Sequence, residues 1–219
     1  MSYKTVVETF TCEIVEKKSR FIGWLYSVDT EADVKNIVGE LRKEHHQASH
    51  YCTAFRLHTS PIIERYGDDG EPGGTAGMPM LEVLRGQGLE NVLVVSIRYF
   101  GGTKLGTGGL VRAYTQSAQE VIGTAVIVEV GTFCKVSVEV PYTLSGKVTY
   151  HVEQNNYVLD DVIYGEQVIY DLYIPKEEVL VVEMEMIELT SGLCCVTVHD
   201  QVDGYVSNGH MITGDEAQC

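Results

Sequence analysis

The stretch GDDGEPGGTAGMPM, residues 67–80, and its counterpart IRYFGGTKLGTGGL, residues 97–110, decide how this chain is read. Together they hold nearly half of its 22 glycines, and each runs into a segment with helical spacing of apolar residues. Glycine inside regular structure costs about 1 kcal/mol relative to alanine, so two such clusters imply left-handed turns or close backbone approach. A glycine turn that opens a helix presents unpaired N–H groups and the positive end of the helix dipole, which together form an anion site. The first loop sets Asp68, Asp69 and Glu71 ahead of Gly73, Gly74, Thr75, Ala76 and Gly77. Those carboxylates repel a bare phosphate but suit Mg²⁺ held beside one; equally, they form an N-cap cluster on the following helix. The second loop carries Arg98 and Lys104, which attract a phosphate, while Arg98 has the alternative of pairing with an acid of the first loop. Neither loop has the GxxxxGK[ST] spacing, and the second lacks the acidic ribose partner of a dinucleotide fingerprint. No Ser-His-Asp or Cys-His constellation can be picked from spacing, so no catalytic residue is assigned.

Working outward from the loops, Thr5–Val15 and Phe21–Val28 alternate around the charged turn Glu16-Lys17-Lys18-Ser19-Arg20 and predict a hairpin. Acidic residues at Asp29–Asp33 open a helix whose apolar face is Val34, Ile37, Val38 and Leu41. Ser49–His58 predicts a strand, Met80–Leu84 a helix ending near Gly86, and Asn91–Tyr99 a buried strand. Gly109–Gly123 predicts a helix packed closely through Ala113, Ser117 and Ala118. A fresh pattern begins near Ala125: Val126–Val140 extended, Leu144–Asn155 helical, Tyr157–Tyr164 and Val168–Ile174 extended around Gly165, Lys176–Leu189 helical, and Cys194–Val198 extended. That order, βαββαβ, is ferredoxin-like. The expected class is α+β in two domains, residues 1–125 and 126–219, with Gly209–Cys219 a loose tail.

Charge divides along the same line. The chain carries a net −15, of which residues 1–125 contribute −2 and residues 126–219 contribute −13. A phosphate-backbone binder needs clustered Lys and Arg, so RNA binding is open to the first domain alone, through Lys17, Lys18, Arg20, Arg98, Lys104 and Arg112 if they share a face. The acidic second half suits basic or apolar partners, or keeps the chain soluble. Six cysteines without CxxC spacing read as reduced thiols, and no apolar run reaches the roughly 18 residues of a membrane span. A cytoplasmic protein with no membrane partner is expected. His45, His46 and His50 near Cys52 match no zinc spacing, so no metal and no cofactor are assigned.

The run Asp68-Asp69-Gly70-Glu71-Pro72-Gly73-Gly74-Thr75-Ala76-Gly77, taken with Arg98-Tyr99-Phe100-Gly101-Gly102-Thr103-Lys104-Leu105-Gly106 and with His50 and Cys52, resembles the signature of the Impact/YigZ family. Met78 departs from it, standing where that family more often has lysine. The resemblance implies a first domain with the β/α fold of a small-subunit ribosomal protein and of domain IV of the bacterial translocase. It implies a ferredoxin-like second domain similar to the translocase's domain V. It further implies a non-enzymatic regulatory role in translation, with the ribosome or a translation-associated protein as partner. The binding residues so implied are His50, Asp68, Asp69, Glu71, Gly74, Thr75, Gly77, Arg98, Tyr99, Phe100, Gly101, Gly102, Lys104 and Gly106. The alternative is a metal-assisted enzyme, or a binder of a phosphorylated ligand or RNA, at the two loops.

Overall fold

Alternation decides the first sheet. In the computed structural model, which describes residues 2–207 and 209–213, Tyr3–Ile127 forms one compact unit and the chain from Val128, with Ser2, a second. The first unit runs β1 (Tyr3–Val6), β2 (Phe10–Glu16), β3 (Ser19–Ser27), α1 (Glu31–Glu44), β4 (His50–Leu57), β5 (Ile63–Gly67), α2 (Gly77–Gln87), β6 (Val92–Tyr99) and α3 (Thr107–Gly123). Strands β2-β3-β6-β4-β5 form one antiparallel sheet. Along β6, Val92 and Val94 point to a core shared with α2 and α3, while Leu93, Val95 and Ile97 point to a second core under α1. A strand buried on both faces reads as a continuous apolar run, which is why VLVVSI stands out in the sequence.

Three departures from expectation have local causes. The predicted strand Thr5–Val15 is two, interrupted at Val7–Thr9, and Ile63–Gly67 adds an edge strand beside β4 that its mixed composition (IERYG) conceals. Helix α1 starts where Thr30 accepts from the Asp33 N–H and Asp33 answers with its carboxylate on the Thr30 N–H at 2.8 Å, a reciprocal cap. Helix α3 lies close on the sheet: a Cβ at Gly23 would sit 2.9 Å from the Ser117 carbonyl, and Ser117 and Ser96 share a 2.9 Å hydroxyl bond beneath the helix.

The second unit follows β7 (Ile127–Val140), α4 (Tyr142–Gln154), β8 (Val158–Tyr164), β9 (Val168–Pro175), a short 3₁₀ turn (Lys176–Glu178), α5 (Val179–Leu189), β10 (Cys195–Ser207) and β11 (His210–Thr213). Its sheet order is β11-β10-β7-β9-β8, antiparallel throughout. The first six elements reproduce the expected βαββαβ order, with both helices over a core of Val136, Val138, Leu172, Ile174, Val182 and Met186. The expected short last strand is instead a long one, and the segment read as a loose tail supplies β11; the last six residues lie outside the described ones. The polar sequence VHDQVDG hides that extension: a register shift between Val198 and Gln201 breaks the alternation that would have marked it.

Candidate functional site: two glycine loops on one sheet edge

Strand register gathers the chemistry at one end of the first sheet. Phe21 and His50 each lie opposite Arg98, so three neighbouring strands present Phe21, Arg98 and His50 side by side. The first glycine loop closes over them. Glu71 Oε1 accepts from Arg98 Nη1 at 2.7 Å and from the Tyr114 hydroxyl of α3 at 2.7 Å, and lies 3.8 Å from His50 Nε2. Side-chain exposure of Arg98 and Glu71 is only 5% and 4%, so this is an ion pair held away from water. Burial raises the Tyr114 hydroxyl pKa far above its ordinary value, which keeps it a donor to Glu71. Arg98 Nη2 reaches the Ser19 hydroxyl at 3.2 Å, and its guanidinium stacks over Phe21 and Phe100 at 5.4 and 5.5 Å. Its Nε is buried with no hydrogen-bond partner.

The three carboxylates of the first loop are engaged separately. Asp68 accepts from the backbone N–H groups of Gly74 (2.7 Å), Ala76 (3.1 Å) and Gly77 (2.8 Å), so it occupies the anion position at the start of α2. Asp69 accepts from the Tyr51 N–H at 2.7 Å and from Arg42 at 2.5 Å, with a positive φ of 42°. His50 Nδ1 donates to the Asp69 carbonyl at 2.8 Å, since a carbonyl can only accept. Thr75 turns its hydroxyl back to the Pro72 carbonyl at 2.7 Å, and Gly77 is required by contact: a Cβ there would meet Gly67 N at 2.8 Å. The alternative of Mg²⁺ at Asp68, Asp69 or Glu71 is not favoured by this arrangement, because each carboxylate faces a different donor. Among the described residues no group of three or more His, Cys, Asp and Glu side chains could hold a metal ion. The first loop is an N-cap cluster that supplies its own anion.

The second loop is built differently. Gly101 passes so close to the β2–β3 turn that a Cβ would lie 2.0 Å from the Lys18 carbonyl carbon, and its N–H donates to Ser19 Oγ at 3.2 Å. That turn is a two-residue connection between paired Glu16 and Ser19, and both Lys17 and Lys18 have positive φ, 46° and 69°. Left-handed turns of this kind favour Asn and Gly, so two exposed lysines there are held in a costly conformation. Gly102 and Gly106 also have positive φ, and Gly106 caps α3 without a side-chain bond and with no acid in the first turn. Lys104 is exposed, Tyr99 is half-buried with its hydroxyl 3.0 Å from His45 Nδ1, and Phe100 is 51% exposed. A small cleft of about 160 Å³ between the turn and α3 is lined by Glu16, Lys17, Leu105, Gly109 and Arg112, with Ala113 and Gln116.

The loops therefore meet, through Glu71, Arg98 and Tyr114, but the basic residues do not all share a face. Arg98 is spent internally and Arg20 is paired with Glu13 at 2.8 Å. Tyr114, Ser19 and Arg42 complete the arrangement and escape a sequence reading, because their partners lie 27 to 82 positions away in the chain. Tyr114 gave only the apolar signal of its helix face.

Comparison with known proteins agrees with this architecture. The description "Impact N-terminal domain" matches residues 17–122, and "Domain of unknown function (DUF1949)" matches residues 138–193. IMPACT family member YvyE of Bacillus subtilis is 39% identical over 191 residues, covering 87% of this chain and 88% of that one. IMPACT family member YigZ of Escherichia coli is 47% identical over 100 residues, covering 45% and 49%. A crystal structure described as that of a hypothetical protein superposes with a TM-score of 0.56 at 28% identity, covering 89% of this chain and 96% of that one. With the family's N-terminal domain matched over residues 17–122 and a relative of this identity matched over nearly its whole length, the chain belongs to the Impact family.

Proposed function

We propose that this protein is a non-enzymatic regulator of translation that binds the translation apparatus through its first domain, with the anionic backbone of ribosomal RNA as the surface it meets. The observation that carries the reading is the Lys17-Lys18 turn, held in left-handed geometry against Gly101 beside α3, whose first turn has no side-chain cap and no acid of its own, with Lys17 and Arg112 against the single carboxylate of Glu16 in the cleft between them. Strain of this kind persists only where the surroundings enforce it, and cations beside free backbone N–H groups suit phosphate. Family membership supports the translational context, and the reading takes the chain to act in the cytoplasm. Among the described residues no helix is long and apolar enough to cross a membrane. The test is co-sedimentation of the purified chain with ribosomes over a salt series, alongside Lys104→Glu and Arg112→Glu. The expected result is binding that weakens with salt and whose slope falls by about one for each cation removed. Wild-type protein remaining in the supernatant at low salt would refute it.

The free start of α3 also favours a second reading, a small phosphorylated ligand seated there with Lys17 and Arg112 beside it. Titration with nucleotides and sugar phosphates, read as a thermal shift, separates the two: a ligand at a hundredfold its Kd adds about 2.7 kcal/mol of apparent stability.

A further inference from the structure

Helix α5 is apolar on both sides. Val179, Val182 and Met186 face the core, yet the opposite side carries Leu180 (72% exposed), Val181, Met184 (63% exposed) and Ile187. Leu180, Met184 and Ile187 stand at i, i+4 and i+7, the spacing of a continuous stripe along one helix face. A helix apolar all round is normally enclosed, and contiguous exposed apolar side chains mark interaction sites. The flanks of the stripe carry Glu183 and Glu188, α5 contains no Lys or Arg, and Glu185 is already engaged by the Tyr157 hydroxyl at 2.7 Å and by His151 Nε2 at 3.2 Å.

We propose that this face of α5 docks an amphipathic, basic helical segment of a protein partner, with the partner's apolar residues on Leu180, Met184 and Ile187 and its Lys or Arg side chains against the flanking glutamates. The charges choose the occupant. A second copy of this chain would set one acidic helix against another across a two-fold axis, with no Lys or Arg on α5 to offset it, and an anionic lipid surface would face the same repulsion. A cationic partner reverses the sign, and the −13 net charge of residues 126–219 steers its approach.

The experiment uses the full chain and a model helical peptide of about 18 residues, with leucines on one face and flanking lysines, read by fluorescence anisotropy. A companion peptide carries glutamates in place of the lysines. Binding of the lysine peptide is expected, weakened about tenfold or more by the uncharged double variant Leu180→Ser/Met184→Ser and less by Glu188→Gln, with no binding of the glutamate peptide. Both sites are exposed, so circular dichroism should show the variant folded as before. Absence of binding, or equal affinity of wild type and the double variant, would overturn the proposal. So would a concentration-dependent dimer by sedimentation that the double variant abolishes, or partition onto phosphatidylcholine vesicles that it abolishes, each naming another occupant.

Discussion

The starts of α2 and α3 arise from loops equally rich in glycine and end in opposite electrostatic states. At α2 the carboxylate of Asp68 accepts three backbone N–H bonds and the dipole is neutralised from within. At α3 the cap is Gly106, no side chain makes a cap hydrogen bond, and the charged neighbours are Lys17 and Arg112 with Glu16. Glycine content does not distinguish a structural loop from a binding loop; what matters is whether the chain brings its own anion. The first loop is anchored by acids directed inward, and the second is left to present cations outward.

The largest effect is expected where the two loops are joined. Arg98→Met would leave Glu71 buried without its charge partner, at a cost of about 3–5 kcal/mol in a urea or thermal unfolding titration, and Glu71→Gln on that background should restore part of the loss. Asp68→Ala tests the asymmetry itself. Loss of the cap should cost about 2 kcal/mol, and sulfate should raise the Tm of the variant more than that of the wild type, because α2 would then resemble α3. Thr107→Glu makes the converse change, placing an acid at the first position of α3. It should add about 0.3–1 kcal/mol of stability while weakening ribosome co-sedimentation; unchanged sedimentation would mean that α3 does not meet the anion.

The smallest effect is chemical. The Cys52 thiol lies under the first loop and donates to the Asp68 carbonyl at 3.1 Å, and burial pushes its pKa up to about 12. Folded-state burial favours the neutral thiol, so Cys52 contributes stability that is full below the ordinary thiol range and lost as pH climbs from there toward 12. At neutral pH its alkylation, followed by peptide mass spectrometry, should lag far behind that of exposed Cys195. Asp68→Ala should speed Cys52 labelling and leave Cys195 unchanged. Equal rates for both thiols in the wild type would show that the first loop opens freely.

Much of this was legible in the chain. The buried run of β6, the amphipathic α1 with its acidic start at Asp29–Asp33 and the βαββαβ order all follow from periodicity and helix-start composition, which act between residues a few positions apart. The second-domain sheet was underread at its end because the shift at Val198–Gln201 breaks the period on which such a reading depends. The short strand Ile63–Gly67 was missed because an edge strand needs apolar residues on one side only.

The sequence by itself determined which residue types stand at the loops, that a net −13 of the chain's −15 falls on residues 126–219, and the family to which those motifs point. Only the tertiary structure decided which charges remain available. In the sequence Asp68, Asp69, Glu71, Arg20 and Arg98 each bear one unit of charge, as Lys17, Lys104 and Arg112 do, yet the first five are engaged by partners within the fold. The physical reason is that a charge is neutralised by what lies within a few ångströms of it. For Glu71 those neighbours, Arg98 and Tyr114, are 27 and 43 residues along the chain and are brought there by strand register and helix packing.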